Sequence, residues 1–351
     1  MIRRITTIYF SPTGGTEKIA KKAGETLGRL LGKNEIELDS EPAYEEVNLT
    51  LPEARTKTYL FGEGDLLLFV SPVYAGRLPN KILPDYEACI QVNAGSRGAC
   101  TSAGSHGACV QASAGSNDER AGGPFAIPIC VYGNRNWDNA ILDAALLLKK
   151  KGFVLAGAGA IGSRHAFSNS IGACRPDNDD FSDVEKLCLG AVENLRNYSA
   201  RLDSANSARF DSVDNARLDS VDSARLDSVE NTWLVCCESL EKMLANSGVT
   251  DNKELPYYTP LKEEGTPAVF LKARPVTDWE VCDKCGLCSA VCPVGSIDDN
   301  TMDCISVCIK CQACVRACPT GAKSFDDADF LSHVKMLEKN YSQRKDNLIV
   351  I

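Results

Sequence analysis

Nowhere in its 351 residues does this chain offer an apolar run approaching the ~18 residues of a membrane-crossing helix, so no membrane span is expected. No secretory leader is expected either. The start, MIRRITTIYFSP, sets Arg3 and Arg4 ahead of a short apolar stretch that Ser11-Pro12 ends, short of the ~7 to 15 apolar residues a leader needs. It reads instead as a first β-strand, and a cytoplasmic protein is expected. Positive charge is in deficit too: 38 Lys and Arg face 47 Asp and Glu, a formal charge of −9, which argues against nucleic acid as a partner. What is present, 44% hydrophobic and 24% charged residues, is a globular composition. The length exceeds the ~100 to 200 residues of one domain, so two are expected.

Cysteine is abundant, with 17 residues. In a small exported chain such a number implies a disulfide framework, whereas clustered cysteines in a larger cytosolic chain more often bind metal. Eight fall into two quartets, Cys282-x2-Cys285-x2-Cys288-x3-Cys292-Pro293 and Cys308-x2-Cys311-x2-Cys314-x3-Cys318-Pro319. Three thiolates spaced by two residues let a tight loop wrap three corners of an iron-sulfur cube, with Gly286 easing the turn. Zinc modules typically use two Cys-x2-Cys pairs, and two full quartets closed by proline fit that less well. The pattern resembles the bacterial two-cluster ferredoxins. That resemblance implies two [4Fe-4S] clusters that exchange a ligand between repeats. Cys282, Cys285, Cys288 and Cys318 would hold the first, and Cys308, Cys311, Cys314 and Cys292 the second. Cys304 lies off the pattern and is expected not to bind. Pro275 to Phe325 hold six acids and four bases, a balance that suits a redox partner with a basic docking face.

At the other end, Ile2 to Phe10 reads as a strand, and Ile19, Ala20, Ala23, Leu27, Leu30 and Leu31 recur with helical period. Between them lies Ser11-Pro12-Thr13-Gly14-Gly15-Thr16. A hydroxyl- and glycine-rich loop between a strand and a helix is a phosphate cradle: glycines let backbone N–H groups approach and the helix start favours an anion. No Gly-Lys-Ser/Thr follows, which excludes a Walker A loop. Two later apolar strands, Asp65 to Ser71 and Phe125 to Val131, end in Pro72-Val73-Tyr74-Ala75-Gly76-Arg77 and Tyr132-Gly133-Asn134-Arg135. Strand alternating with helix predicts an α/β fold with a doubly wound parallel sheet, whose ligand lies beyond the carboxyl ends of its strands.

The first loop resembles the FMN phosphate loop of flavodoxins, and the two later loops look like their flavin-ring loops. The resemblance implies FMN bound by Ser11, Thr13, Gly14, Gly15 and Thr16 at the phosphate. At the ring it implies Pro72, Val73, Tyr74, Ala75 and Gly76 with Tyr132, Gly133, Asn134 and Arg135. Tyr74, Tyr132 and Trp137 are the candidates to stack on it. Together with Arg175-Pro176-Asp177 and the quartets, these features resemble the fused flavodoxin-ferredoxin proteins of anaerobic bacteria, the EFR1-family ferredoxins. Cys174 stands where that pattern expects glycine. Gly157-x-Gly159-x-x-Gly162 matches a dinucleotide fingerprint, but Phe153 to Ile161 continues as a strand rather than opening a helix, so no NAD(P) domain is expected.

The expected organisation is a flavodoxin-like domain over 1–248 and a proline-bearing linker over 249–275. A ferredoxin-type domain over 276–327 and a C-terminal helix and tail over 328–351 follow. Two low-complexity insertions, 91–123 and 199–230, interrupt the first domain. The second is four octads, SARLDSAN, SARFDSVD, NARLDSVD and SARLDSVE, whose apolar positions precess ~80° per repeat in a helix and keep no common face. Cys100, His106 and Cys109 in the first insertion are not expected to form a metal site. The leading functional expectation is an electron carrier linking FMN, two clusters and redox partner proteins, with no catalytic residue required. An alternative is an FMN-dependent reductase of a small substrate, with Tyr74, Arg77, Arg135 or His165 as proton donor. Another is a cluster-bearing interaction or sensor protein without FMN.

Overall fold

A computed structural model describes residues 2–32, 42–93, 123–213, 236–247 and 255–351. The readings placed on 94–122, with Cys100, His106 and Cys109, and on 214–235 lie outside them.

The run DLLLFVSP has no polar alternation because both faces of its strand are covered. Leu67 and Phe69 point into one core, and Leu66, Leu68 and Val70 into the other, all fully buried. This strand, β3 (Asp65–Pro72), lies between β1 (Arg4–Tyr9) and β4 (Phe125–Tyr132). β2 (Ala43–Asn48) flanks β1, and β5 (Ala158–Gly162) flanks β4. The parallel order 2-1-3-4-5 is that of the flavodoxin-like doubly wound fold.

Helices α1 (Gly15–Gly32) and α4 (Asn178–Val213) cover one face, joined by Lys22 to Glu185 at 2.5 Å. α2 (Leu83–Cys89), α3 (Ala140–Lys151) and α5 (Glu238–Asn246) cover the other. α4 runs on through Val213, so the octads begin as a continuation of this helix. Gln91 and Val92, expected to start the first insertion, instead belong to a short strand, Ile90–Val92, paired with Tyr59–Phe61.

The dinucleotide-like glycines lie in and beside β5, as a strand reading requires. A Cβ on Gly159 would meet Leu187 at 2.7 Å, and one on Gly162 would overlap the Arg175 guanidinium. They permit close packing rather than a phosphate turn.

The C-terminal stretch departs most from expectation. After α6 (Ala328–Asn340), capped by Asp327 accepting from the Phe330 N–H at 2.9 Å, the chain returns to the first domain. Leu348–Val350 becomes β6, antiparallel to β5 with Ile349 opposite Gly159. The tail thus forms an edge of the sheet. The cysteine module before α6 is closed by Val276–Thr277 pairing antiparallel with Lys323–Ser324. No described helix is long and apolar enough to cross a membrane.

Candidate functional site

Both quartets are wound on the same backbone. Lys284 and Gly286 in the first loop have φ of +59° and +75°, and Lys310 and Gln312 at the matching places of the second have +58° and +67°. Gly295 and Gly321, each three residues after the fourth cysteine of its repeat, follow with +58° and +71°. Left-handed residues in a turn can point successive N–H groups toward one side, a concavity that favours anionic sulfur. The Lys310 N–H reaches Cys308 Sγ at 3.3 Å and the Ser296 N–H reaches Cys292 Sγ at 3.2 Å.

The fold sorts the thiols across the repeats. Burial pushes the Cys311 thiol well up and Cys314 up to about 12, and in each case nearby Cys308 and Cys292 add to the effect. Cys292, Cys308, Cys311 and Cys314 line one small pocket, walled also by Val294, Ile309 and Phe325. Cys288 is raised mainly by burial, with Lys323 opposing and Cys318 of the other repeat adding. Cys292 of the first repeat thus shares a pocket with the second loop. Thiols held protonated by burial bind iron only on losing that proton, so metal supplies what folding alone does not. Among the described residues, no three Cys, His, Asp or Glu side chains are gathered closely enough to ligate one metal ion. A cube needs no such convergence, because each thiolate binds a different iron. Cys304, set aside on spacing, lines the same cavity, with its Sγ directed to the Ser306 carbonyl at 3.6 Å.

At the N-terminal loop, Ser11 Oγ accepts the Glu17 N–H at 2.9 Å and the Ser11 N–H donates to Thr50 Oγ1 at 2.8 Å, fixing the turn between β1 and α1. The first-turn amides of Gly15 and Thr16 have no intrahelical partner by helix geometry. Gly14 has φ +81° with nothing within 4 Å of a would-be Cβ, whereas a Cβ on Gly15 would meet Ser163 Oγ at 2.3 Å. The loop leaves open space at Gly14, beside glycine backbone and the hydroxyls of Ser11 and Ser163. A phosphate group fits that donor set. Ser163, just past the end of β5, carries no local sequence signal; its place comes from the pairing of β5 with β4, which its N–H extends by donating to the Tyr132 carbonyl at 2.8 Å.

The two ring loops fare differently from one another. In the first, the Tyr74 and Arg77 backbones bond reciprocally at 2.9 and 3.1 Å around Ala75 and Gly76, with φ +49° and +78°. Pro72 ends β3, and the Val73 N–H donates to the Val131 carbonyl at 2.9 Å. Tyr74 reaches toward the cysteine module. Burial raises its phenol pKa well above the usual value, and the Cys311 thiol, Tyr86 and the Cys308 thiol beside it add to the rise.

In the second loop, Tyr132 is fully buried, and its hydroxyl donates to the Lys345 and Asp346 carbonyls at 3.0 and 2.7 Å. No ring face is left for a ligand, which corrects its reading as a stacking residue. Asn134 is likewise taken up: its Nδ2 donates to the Tyr341 and Gln343 carbonyls and its Oδ1 accepts from Arg175. Gly133 is pressed against His165, where a Cβ would come within 2.7 Å. Trp137 packs edge-on to Tyr132 at 5.3 Å and remains half-buried.

The would-be proton donors are also engaged. Arg77 pairs with Asp143 at 2.7 Å, donates to the Leu255 carbonyl and lies over the Tyr257 ring; Arg135 pairs with Asp138 and lies 3.7 Å from the Tyr258 ring centroid. The linker is therefore no mere spacer but packs on both ring loops. Burial, reinforced by His333, Arg135 and Arg316, lowers His165 to about 3, so it is a neutral loop residue accepting the Phe167 N–H.

The two modules interlock. Val294 and Ile309 pack on the core that holds Val73 and Tyr74, and Arg316 Nη2 donates to the His165, Ala166 and Ser168 carbonyls.

Residues 275–298 and 306–324 match the 4Fe-4S binding domain family. All eight quartet cysteines fall inside these segments and Cys304 falls between them, which supports [4Fe-4S] binding by this module. No curated protein matches the chain. Among solved structures, a flavodoxin from the domain Archaea is 10% identical, with a TM-score of 0.31, over 55% of this chain and 99% of that one. The two-electron reduced Megasphaera elsdenii flavodoxin is 13% identical, with a TM-score of 0.30, over 54% and 98%. An FMN-dependent NADH-azoreductase from Bacillus anthracis in complex with FMN is 12% identical, with a TM-score of 0.29, over 53% and 97%.

Proposed function

We propose that this chain is an electron-transfer protein that passes electrons between an FMN held by its flavodoxin-like domain and two [4Fe-4S] clusters held by residues 276–327. The observation that carries the reading is that Val294 and Ile309, which wall the pocket of Cys292, Cys308, Cys311 and Cys314, pack on the same core as Val73 and Tyr74 of a ring loop. Cys282, Cys285, Cys288 and Cys318 would hold one cluster and Cys292, Cys308, Cys311 and Cys314 the other, the second with N–H groups aimed at the Cys292 and Cys308 sulfurs that tune its potential. Ser11, Thr13, Gly14, Gly15, Thr16 and Ser163 would hold the FMN phosphate, and Tyr74 and Trp137 would wall its ring. When bound, a flavin takes two electrons and releases them singly, which matches clusters that carry one at a time.

Against a reductase stands the engagement of its candidate proton donors: Arg77 and Arg135 are held in ion pairs by Asp143 and Asp138, and burial keeps His165 a neutral imidazole near pH 7. Such a carrier belongs in a reducing compartment; every described cysteine is unpaired.

Anaerobic purification tests the reading. About eight irons, about eight sulfides and about one FMN per chain are expected. Zinc in place of iron would contradict the cluster assignment, and failure to take up FMN on reconstitution would favour a cluster protein without flavin.

A further inference from the structure

The two quartets, alike in backbone, differ in exposure. Cys292, Cys311 and Cys314 are buried and Cys308 half-buried, and Val294 and Ile309, which wall their pocket, pack on the same core as Val73 and Tyr74. Of the other quartet only Cys288 is buried, and Cys285 is open to solvent. Electron transfer falls steeply with distance, so exchange with an outside partner is favoured at the exposed quartet and exchange with the ring loops at the buried one.

The surface around the exposed quartet has a distinct character. Trp279, Val281 and Leu287, flanking and interleaved with Cys282 and Cys285, are 49%, 48% and 44% exposed. Three carboxylates, Asp278, Glu280 and Asp283, share this ten-residue stretch with one base, Lys284, and among the described residues none of the three is in an ion pair. Asp278 and Asp283 are held at the surface by accepting the Glu280 and Cys285 N–H groups at 2.9 and 3.1 Å. An apolar centre with an acidic rim over a redox centre both buries area and steers an oppositely charged partner. A second exposed apolar group, Leu271, Ile305 and Val307, is rimmed by Lys272 and Arg274, which repel such a partner.

We propose that Trp279, Val281 and Leu287, with Asp278, Glu280 and Asp283 around them, form the docking face for a one-electron redox protein that presents a basic rim. The first quartet is then the port and the second the inward relay. This inference rests on the cluster assignment proposed above.

The probe is ferricytochrome c, a basic haem protein with an accessible haem edge, mixed anaerobically with holoprotein that dithionite has reduced and that has then been desalted. Each event moves one electron: a cluster goes from [4Fe-4S]⁺ to [4Fe-4S]²⁺ and one ferric haem becomes ferrous. The rate should fall with rising ionic strength. The combined variant Asp278→Asn, Glu280→Gln, Asp283→Asn should lose about tenfold at low salt, and most of the salt dependence with it. Glu263→Gln with Glu264→Gln, exposed acids on the linker, should leave both unchanged. Carbodiimide cross-linking, which needs no electron transfer, should join probe lysines to Asp278–Asp283. A triple variant that matches the parent in rate, salt slope and cross-links, while retaining its iron and sulfide, would overturn the docking face alone. Cross-links mapping to other acids would do the same. A protein without clusters would overturn both this inference and the reading beneath it.

Discussion

The carbonyl of Pro293, the residue after Cys292, accepts a hydrogen bond from Arg55 of the N-terminal domain at 2.6 Å. The same guanidinium donates to the Leu49 and Thr50 carbonyls and pairs with Asp85 at 2.7 Å. One arginine thus ties a quartet loop to the loop that follows β2. Arg55→Ala should cost about 2 kcal/mol, because charged hydrogen bonds are lost and buried carbonyls left unmet. Arg55→Lys should recover less than half, lacking the planar fork. Denaturant unfolding checks this; a loss under about 0.5 kcal/mol, the level of an ordinary surface change, would mean that water replaces the guanidinium freely.

Ligand exchange between repeats makes a second prediction. Cys318→Ala should alter the same paramagnetic signal as Cys285→Ala, although Cys318 is close to Cys314 in sequence, and Cys292→Ala should alter the signal that depends on Cys311. Cys304→Ala should alter neither, even though Cys304 lines the pocket of Cys292, Cys308, Cys311 and Cys314. Electron paramagnetic resonance of the reduced variants decides it. A phenotype shared by Cys318 and Cys311 but not Cys285 would mean that each repeat closes on its own cluster.

A third concerns the phosphate cradle. Gly15→Ala places a methyl 2.3 Å from Ser163 Oγ, so that hydroxyl must swing away and the loop must shift. FMN affinity of the apoprotein, read by flavin fluorescence quenching, should fall at least tenfold, or ~1.4 kcal/mol. Unchanged affinity would remove Ser163 and Gly15 from the phosphate site.

Much of this was legible in the sequence, where chemistry repeats at short range. The quartets and the Ser11–Thr16 loop each carry their meaning within a dozen residues, and fully apolar runs marked β3 and β4. The missed features are contacts between distant segments. Leu348–Val350 is too short to show a period, and its partner β5 lies far upstream. Tyr132 and Asn134 read as ring-loop residues because nothing nearby reveals that residues 341–347 fold back to use them. Lys284, Lys310 and Gln312 adopt left-handed φ without being glycine, so residue type does not mark those turns.

The tail also gives a pH dependence. Arg344 donates to Asp177 and to Asp180, and the Arg344 bond holds the Asp177 carboxyl well below the usual range. A depressed folded-state pKa stabilises above the unfolded value of ~3.9 and is lost as pH falls through the folded one, so the contribution is complete above about pH 5. Because the pair is partly exposed, its share is modest. Amide exchange at Ile349 should quicken, relative to its intrinsic rate, below about pH 4. Arg344→Ala should show the same loosening at neutral pH; unaltered protection in that variant would show that β6 is held by its ladder alone.

The most direct test of the account is internal electron transfer. Holoprotein with oxidised flavin is mixed with a substoichiometric one-electron reductant in a stopped-flow spectrometer, and cluster and flavin absorbance are followed together. The account predicts that cluster bleaching recovers as the flavin is reduced, at a rate independent of protein concentration, because Tyr74 and the Cys308–Cys314 loop belong to one docked unit. Flavin reduction whose rate rises in proportion to protein concentration, or clusters that stay reduced beside an unchanged flavin, would contradict it.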